Sequence, residues 1–491
     1  MLFNSLQYVV FFPIVVIAFF FLSRSRYPEW LPRVLLLAAS LFFYMCWNPW
    51  YVLLMLASVA ITWLSGILME RKALHKGAVL FLSLFLNLSI LIAFKYYNFF
   101  AESVFSLSTI LGIPWKPSSL NVLLPVGISF YTFQALGYSI DVYRGTVPAE
   151  RNFITYALFV TFFPQLVAGP IERTANLLPQ FKTRRSFDYD NAADGLKLMA
   201  WGMFKKVVIA DRLSPLVNTV YNSPASFSGA AFAVATVFFA FQIFCDFSGY
   251  SDIAIGSARV MGFRLMRNFD RPYFSRSIQE FWKRWHISLS SWFKDYLYIP
   301  LGGNRAATAR VMLNLFITFT VSGLWHGANW TFLIWGSLNG CYLIASSLTK
   351  DWRRSIVKAV RLDRLPRVHA VLQVAVTFAL TCLAWIFFRA NDIGDAVYIL
   401  GHLHTGWGQL LHMDGLRLFV HGFGLENKDL ELATLLIVFM EAIHLIQGRW
   451  NIIEGLKTKP AVVRWTLYYG LLGAILWFGV FSMNDFIYFQ F

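Results

Sequence analysis

Residues 273–305 read YFSRSIQEFWKRWHISLSSWFKDYLYIPLGGNR; a short basic linker and an apolar run follow, and residues 322–330 read SGLWHGANW. These two segments hold His286 and His326. At about 100° per residue, Phe281, Trp282, Trp285, Leu289, Trp292 and Phe293 share one arc of a helix, with His286 at its edge. Lys283, Arg284, Ser290, Ser291, Lys294 and Asp295 fall on the opposite side, and Ile287 is the exception. The pattern predicts an amphipathic helix suited to a membrane interface. Pro300, Gly302 and Gly303 end it, because proline and glycine do not easily continue a helix. His326 interrupts apolar sequence on both sides, among Gly323, Trp325, Gly327, Asn329 and Trp330. An ionisable group at membrane depth is costly, which makes it a candidate functional residue by default.

The surroundings of these segments read as lipid-embedded scaffold. Of 491 residues, 57% are hydrophobic, 18% aromatic and only 14% charged, where soluble domains carry about a quarter charged residues. The mean hydropathy of +0.56 points the same way. The net charge of +16 lies in short loops between apolar runs, as positive-inside bias produces, so nucleic acid is not implied. Cys46, Cys245, Cys341 and Cys382 show no CxxC pairing, which argues against a disulfide framework or zinc site; they read as core residues. Residues 6–22 form a first span without a basic leader or small-residue cleavage pattern.

Loop charges set a trial topology. Arg24, Arg26 and Arg33 follow the first span, and Arg71, Lys72 and Lys76 follow the third. Placing both loops in the cytoplasm puts the N-terminus outside. A fourth span over 78–98 then exits, leaving 100–118 external. The runs 120–142 and 152–171 contain Pro125, Gly127, Gln134, Asp141, Pro164, Gln165, Gly169 and Pro170. Such residues occur at membrane depth where protein or a wet cavity covers them; with Arg144, Arg151 and the basic loop Lys182–Arg185 all cytoplasmic, 152–171 is expected to be re-entrant. Spans at 191–210, 229–258, two within 311–348, and 368–389, 431–447 and 464–484 complete the chain. The last three leave the C-terminus outside, and His326 falls at a turn or inside a broken helix. The result is one membrane domain: N-terminal spans 1–119, a catalytic core 120–348 and C-terminal spans 349–491.

Several long motifs occur in order: GISFYTFQALGYSIDVYRG (127–145), FFPQLVAGPIER (162–173), FCDFSGYSDIAIG (244–256), FWKRWHISLSSWFKDYLYIPLGG (281–303) and LWHG (324–327). Over roughly 120–330 the chain resembles the membrane-bound O-acyltransferases, most closely the bacterial branch that includes the membrane subunit of alginate O-acetylation. The resemblance implies an all-α polytopic membrane protein with a helical core, broken or re-entrant helices and interfacial amphipathic helices. It implies a bacterial inner-membrane enzyme that moves acetyl from cytoplasmic acetyl-CoA toward hydroxyls of an extracytoplasmic polysaccharide, with no permanently bound cofactor. Relatives hand the group to a periplasmic or membrane-anchored acetyltransferase, so a partner protein is expected. Peptidoglycan O-acetylation and teichoic-acid D-alanylation remain alternatives within the superfamily. A membrane transporter is the alternative from another class, since broken helices serve there too.

By resemblance His326 is the catalytic base and His286 a second important histidine. Imidazole suits removal of a hydroxyl proton near neutral pH; the alternative is a hydrogen-bonded structural histidine. Lys283, Arg284, Trp285, Lys294, Asp295, Asn304, Arg305, Trp325 and Asn329 are candidates for holding donor or substrate. Gln134, Gln165, Asp246, Ser248, Tyr250 and Asp252 are candidates for cavity lining or structural hydrogen bonding. Asp246 and Asp252 lack the further oxygen donors of a hard-cation site, so no metal is predicted. His402, His404, His412 and His421 read as an external loop rather than a metal site. No Walker loop, dinucleotide fingerprint or GxSxG elbow is present, so a serine nucleophile is unsupported.

Overall fold

The computed structural model describes all residues except 72–74, 114, 116, 121–122, 168, 409–426, 482–485 and 488–491. Among the described residues every regular element is helical. In a bilayer that is expected, because a helix satisfies its own backbone groups without water. Six described helices are long and apolar enough to cross a membrane. Two shorter apolar helices stand at the N-terminus. Their outer faces carry large bare apolar side chains such as Leu6, Ile17, Phe81 and Trp477, as lipid-facing surfaces do.

The chain forms two compact units: residues 1–199 with 250–267, and residues 200–249 with 268–491. The first contains α1 (Leu6–Leu22), α2 (Trp30–Met45), α3 (Tyr51–Met69) and α4 (Lys76–Ile110). It continues with α5 (Ile128–Arg144), α6 (Phe153–Thr161) and most of α7 (Tyr189–Met203). Buried polar contacts tie α3 to α6 and α2 to the turn before α5. Tyr156 donates to Thr62 at 2.7 Å, and Tyr44 donates to the Val126 carbonyl at 3.0 Å. Gly127 starts α5 with φ 72°, a left-handed conformation that favours glycine.

One expectation changes here. The fourth apolar helix does not stop near residue 98; it passes through a π turn at Ile92–Tyr96 and continues to Ile110. The apolar sequence after residue 98 simply sustains the helix. Within 152–171, α6 ends at Thr161, and a four-residue helical turn, Phe163–Leu166, follows.

The second unit begins with a π segment, Phe204–Ala210, and the first two-thirds of α8 (Gly229–Val260). It then holds α9 (Ile278–Arg284), α10 (Ile287–Phe293), α11 (Thr308–His326) and α12 (Trp330–Leu348). After these come α13 (Lys350–Ala359), α14 (Pro366–Arg389), α15 (Asn427–Gln447) and α16 (Ala461–Phe478). The run 311–348 is thus a helical hairpin broken at residues 327–329. Small residues let its arms approach closely. A Cβ on Gly323 would overlap the Phe332 carbonyl, and one on Gly336 would overlap the Phe319 carbonyl. Thr320 and Ser337 hydroxyls meet across the same seam at 2.9 Å. Small-residue seams with interhelical hydrogen bonds are how helices pair where lipid offers no hydrophobic drive.

Of the four cysteines expected in the core, Cys245 is buried, Cys382 half-buried, and Cys46 and Cys341 exposed on outer faces. All four are free thiols.

Candidate active site

The first candidate segment is not the single amphipathic helix its periodicity predicts. Helix α9 ends at Arg284, Trp285 is extended, and His286 adopts φ 42°, ψ 55° before α10 begins. The aromatic arc is not interfacial either. Trp285 and His286 are fully enclosed, and Phe281, Trp282, Leu289, Trp292 and Phe293 are all buried. The break rotates α10 out of the register assumed for one helix, and tertiary packing takes the aromatic surface that would otherwise meet lipid.

A left-handed conformation costs a non-glycine residue about 1–2 kcal/mol. Here it is offset locally by Asn268. The Asn268 carbonyl accepts from the Ile287 amide at 2.9 Å, and the Asp270 amide donates to the Arg284 carbonyl at 2.9 Å. The Asn268 side-chain oxygen Oδ1 lies 2.9 Å from Ser288 Oγ, 3.1 Å from His286 Nδ1 and 3.3 Å from the Ser288 amide nitrogen. Buried hydrogen bonds contribute about 1 kcal/mol each, so this set is sufficient to hold the break.

His326 is the last residue of α11, and Gly327 turns extended. A Cβ on Gly327 would collide with the Phe332 ring, so the turn needs glycine there. Asn329 caps α12, its side chain accepting from the Thr331 amide at 3.0 Å. Asn329 Nδ2 also donates to the Asn391 carbonyl at 3.2 Å. It therefore shapes the hairpin turn.

The two imidazoles lie in one aromatic enclosure within the second unit, with ring centroids 6.4 Å apart. His326 packs edge-on against Trp335 at 4.9 Å, Trp325 at 5.0 Å and Phe388 at 5.5 Å. His286 packs against Phe247 at 4.6 Å and Trp325 at 6.0 Å, so Trp325 touches both rings. Both histidines are at most 2% exposed. Burial pulls the His286 imidazole down to about 3, so near neutral pH it is uncharged. A neutral imidazole can accept a proton from a hydroxyl.

The other candidates divide by location. Lys283, Lys294, Asn304 and Arg305 are exposed, Arg284 pairs with Glu280 at 2.6 Å, and Asp295 is half-buried. They surround the enclosed pair in sequence without entering it. Gln134 and Gln165 both donate to the Phe159 carbonyl at 2.6 Å in the first unit and line a narrow crevice there with Tyr131. Tyr250 donates to Asn4 at 3.3 Å, and Asp252 is half-buried. Asp246 instead belongs to a buried charge cluster: Lys206 Nζ lies 2.6 Å from Asp246 and 2.8 Å from Asp211. The Ile487 amide donates to Asp246 at 2.8 Å, and Lys205 donates to Ser248 at 2.9 Å. This cluster anchors the base of Phe247, which carries the His286 ring contact. Near the expected external histidines, His402 stacks on Tyr398 and its Nδ1 lies 2.8 Å from the Tyr398 carbonyl. His412 and His421 lie outside the described residues.

Sequence reasoning did not find Asn268, Ser288, Trp335, Phe388 or Lys206. Asn268 sits 18 residues before His286 in a nonhelical stretch, and nothing in its neighbourhood marks it.

The chain is 39% identical to the probable alginate O-acetylase AlgI of Pseudomonas aeruginosa, over 89% of this chain and 81% of that one. It is 32% identical to the peptidoglycan O-acetyltransferase of Helicobacter pylori, covering 100% and 98% of the two chains. A teichoic acid D-alanyltransferase of Streptococcus thermophilus is 28% identical over 56% of this chain and 70% of its own. The profile of the MBOAT family matches residues 148–388, which include α8, both histidines and Asn268. With these matches, the apolar helices and the enclosed histidine pair, the chain belongs to the membrane-bound O-acyltransferase family.

Proposed function

We propose that this protein takes an acetyl group from acetyl-CoA on the cytoplasmic side of a bacterial inner membrane and passes it toward hydroxyls of an alginate-like polysaccharide outside. Acyl transfer follows from family membership; the acetyl group and the polysaccharide rest on the names of the alginate and peptidoglycan relatives. The observation that carries the mechanism is the buried imidazole pair with centroids 6.4 Å apart inside aromatic walls. His326 removes the acceptor hydroxyl proton as the hydroxyl oxygen bonds to the thioester carbonyl carbon. The carbon–sulfur bond then breaks, and the leaving thiolate takes the proton from the imidazolium. The walls exclude water and so protect the thioester from hydrolysis. Exposed Lys283, Lys294 and Arg305 suit the phosphates of CoA. The N-terminus faces outward, and a periplasmic or membrane-anchored acetyltransferase completes transfer to the polymer.

The end-to-end match to the Helicobacter relative favours peptidoglycan as the second acceptor to test. The D-alanyl reading matches a little over half of this chain. The transporter reading loses its ground with membership in an acyltransferase family. The deciding experiment incubates purified protein in nanodiscs with acetyl-radiolabelled acetyl-CoA and either alginate or peptidoglycan fragments, with and without a partner acetyltransferase. CoA release and labelled polymer, both lost in His326→Ala, support the reading. If wild-type protein with partner and acceptor present consumes no acetyl-CoA, the donor is wrong.

A further inference from the structure

We infer that Asn268 is a positioning residue for the reaction, holding His286 in the tautomer that carries its proton on Nδ1 and its lone pair on Nε2. The inference rests on the proposal that His286 works beside His326. Its physical basis is which partners Asn268 Oδ1 serves. A backbone amide only donates, so the side-chain atom facing the Ser288 amide is the oxygen, not the NH2 group. The same oxygen lies 3.1 Å from His286 Nδ1, and an amide oxygen only accepts. Nδ1 must therefore be the donor. The Ser288 hydroxyl donates to that oxygen at 2.9 Å, a shorter contact than its 3.4 Å approach to Nδ1, so it does not compete for the ring nitrogen.

The tautomer matters because a neutral imidazole has one acceptor nitrogen, and which one is decided by the bond the other makes. With Nδ1 committed to Asn268, the basic nitrogen is Nε2, on the opposite edge of the ring. Asn268 also fixes the ring's place in the chain. Its carbonyl accepts from Ile287 and its side chain spans His286 and Ser288, so one residue holds the whole left-handed break. Phe247 comes from α8, Asn268 and Phe269 from the segment before α9, and Trp325 and His326 from α11. Among these described contacts the titratable neighbour is His326, and the rest are neutral. A charge placed at residue 268 would therefore act on the ring directly.

The test uses full-length protein in lipid bilayers, labelled with 15N in its histidine rings and followed by solid-state NMR. The His286 resonances are identified by their absence in His286→Asn. Expected in wild type is a protonated Nδ1. In Asn268→Asp the carboxylate keeps every accepted hydrogen bond and favours the charged ring, so His286 protonates about 1–3 pH units higher. In Asn268→Ala the ring shifts to Nε2–H or a mixture. A matching pH profile of acetyl-CoA turnover gains an acidic limb in Asn268→Asp, and kcat falls roughly tenfold or more there while KM holds. A protonated Nε2 in wild type overturns the inference, as does an unchanged His286 titration in Asn268→Asp. Should Asn268→Ala not fold, the Asn268→Asp titration decides alone. Because the NMR readout needs no substrate, failure of the acetyl-CoA assay counts against the proposed donor and leaves the tautomer result standing.

Discussion

The two histidines of this site are placed by opposite means. His326 ends a straight helix whose hairpin partner closes on it through glycine contacts at Gly323, Gly336 and Gly327. His286 sits at a break where two seven-residue helices meet, in a conformation its backbone does not favour. The first placement uses rigid regular structure and missing side chains. The second uses a strained residue and a polar clasp, in which a single asparagine offsets the cost. Regular packing fixes where a ring is; the clasp also fixes which nitrogen carries its proton. That division suits a site in which one imidazole moves a proton and the other must be held in a defined state.

The contrast is open to test, beginning with the largest effect. Replacing the base in His326→Ala should lower acetyl transfer by about 10²–10⁴-fold while the protein still elutes as a folded species. Similar rates in the variant would remove His326 from the chemistry. Next in size is the hairpin seam. Gly323→Val and Gly336→Val each force a side chain into the opposite backbone, and should lower stability by about 1–3 kcal/mol or more, read as thermal midpoint in nanodiscs. Retained stability would mean the arms can separate without loss.

The strained break predicts an order rather than a single loss. Asparagine tolerates the left-handed region better than alanine, so His286→Asn should be more stable than His286→Ala by up to about 1 kcal/mol, with both inactive or impaired. An equal or reversed order would show that the backbone relaxes. The buried ring also makes stability depend on pH. Its folded pKa, about 3, lies below the ordinary 6.5, so between these values the unfolded chain holds the extra proton. Stability should thus be level above about pH 6.5 and fall as pH drops toward 3, by up to about 1.4 kcal/mol per unit. His286→Asn should flatten part of that slope in a denaturant titration. The smallest effect belongs to the exposed cations: Lys283→Gln and Lys294→Gln should raise KM for acetyl-CoA a few-fold, more at low salt, with kcat unchanged.

Much of the fold was legible because lipid imposes a simple rule on sequence. Apolar runs long enough to cross a bilayer must be helices, and the observed helices follow those runs from Leu6 to Phe478, the extension of α4 to Ile110 apart. His326 stood out as an ionisable residue among glycines inside such a run, but its spacing served a catalytic and a structural reading equally, and the family resemblance favoured the base. The FWKRWH segment misled because its period is helical on both sides of the break. Periodicity records spacing and is blind to a single residue with positive φ. For Asp246 the sequence offered cavity lining or structural hydrogen bonding without a partner, because Lys206 lies 40 residues away on a different element.

By itself, then, the sequence determined the membrane-embedded helical class and the two segments that hold the histidines, both properties of local composition and spacing, while the choice between a turn and a broken helix at His326 fell to the structure. Only the tertiary structure decided that the two imidazoles share one aromatic enclosure, that Trp325 touches both, and that Asn268 clasps His286. Those facts depend on residues from different elements meeting in a buried interior, where a polar atom must find its partner by position rather than by sequence distance.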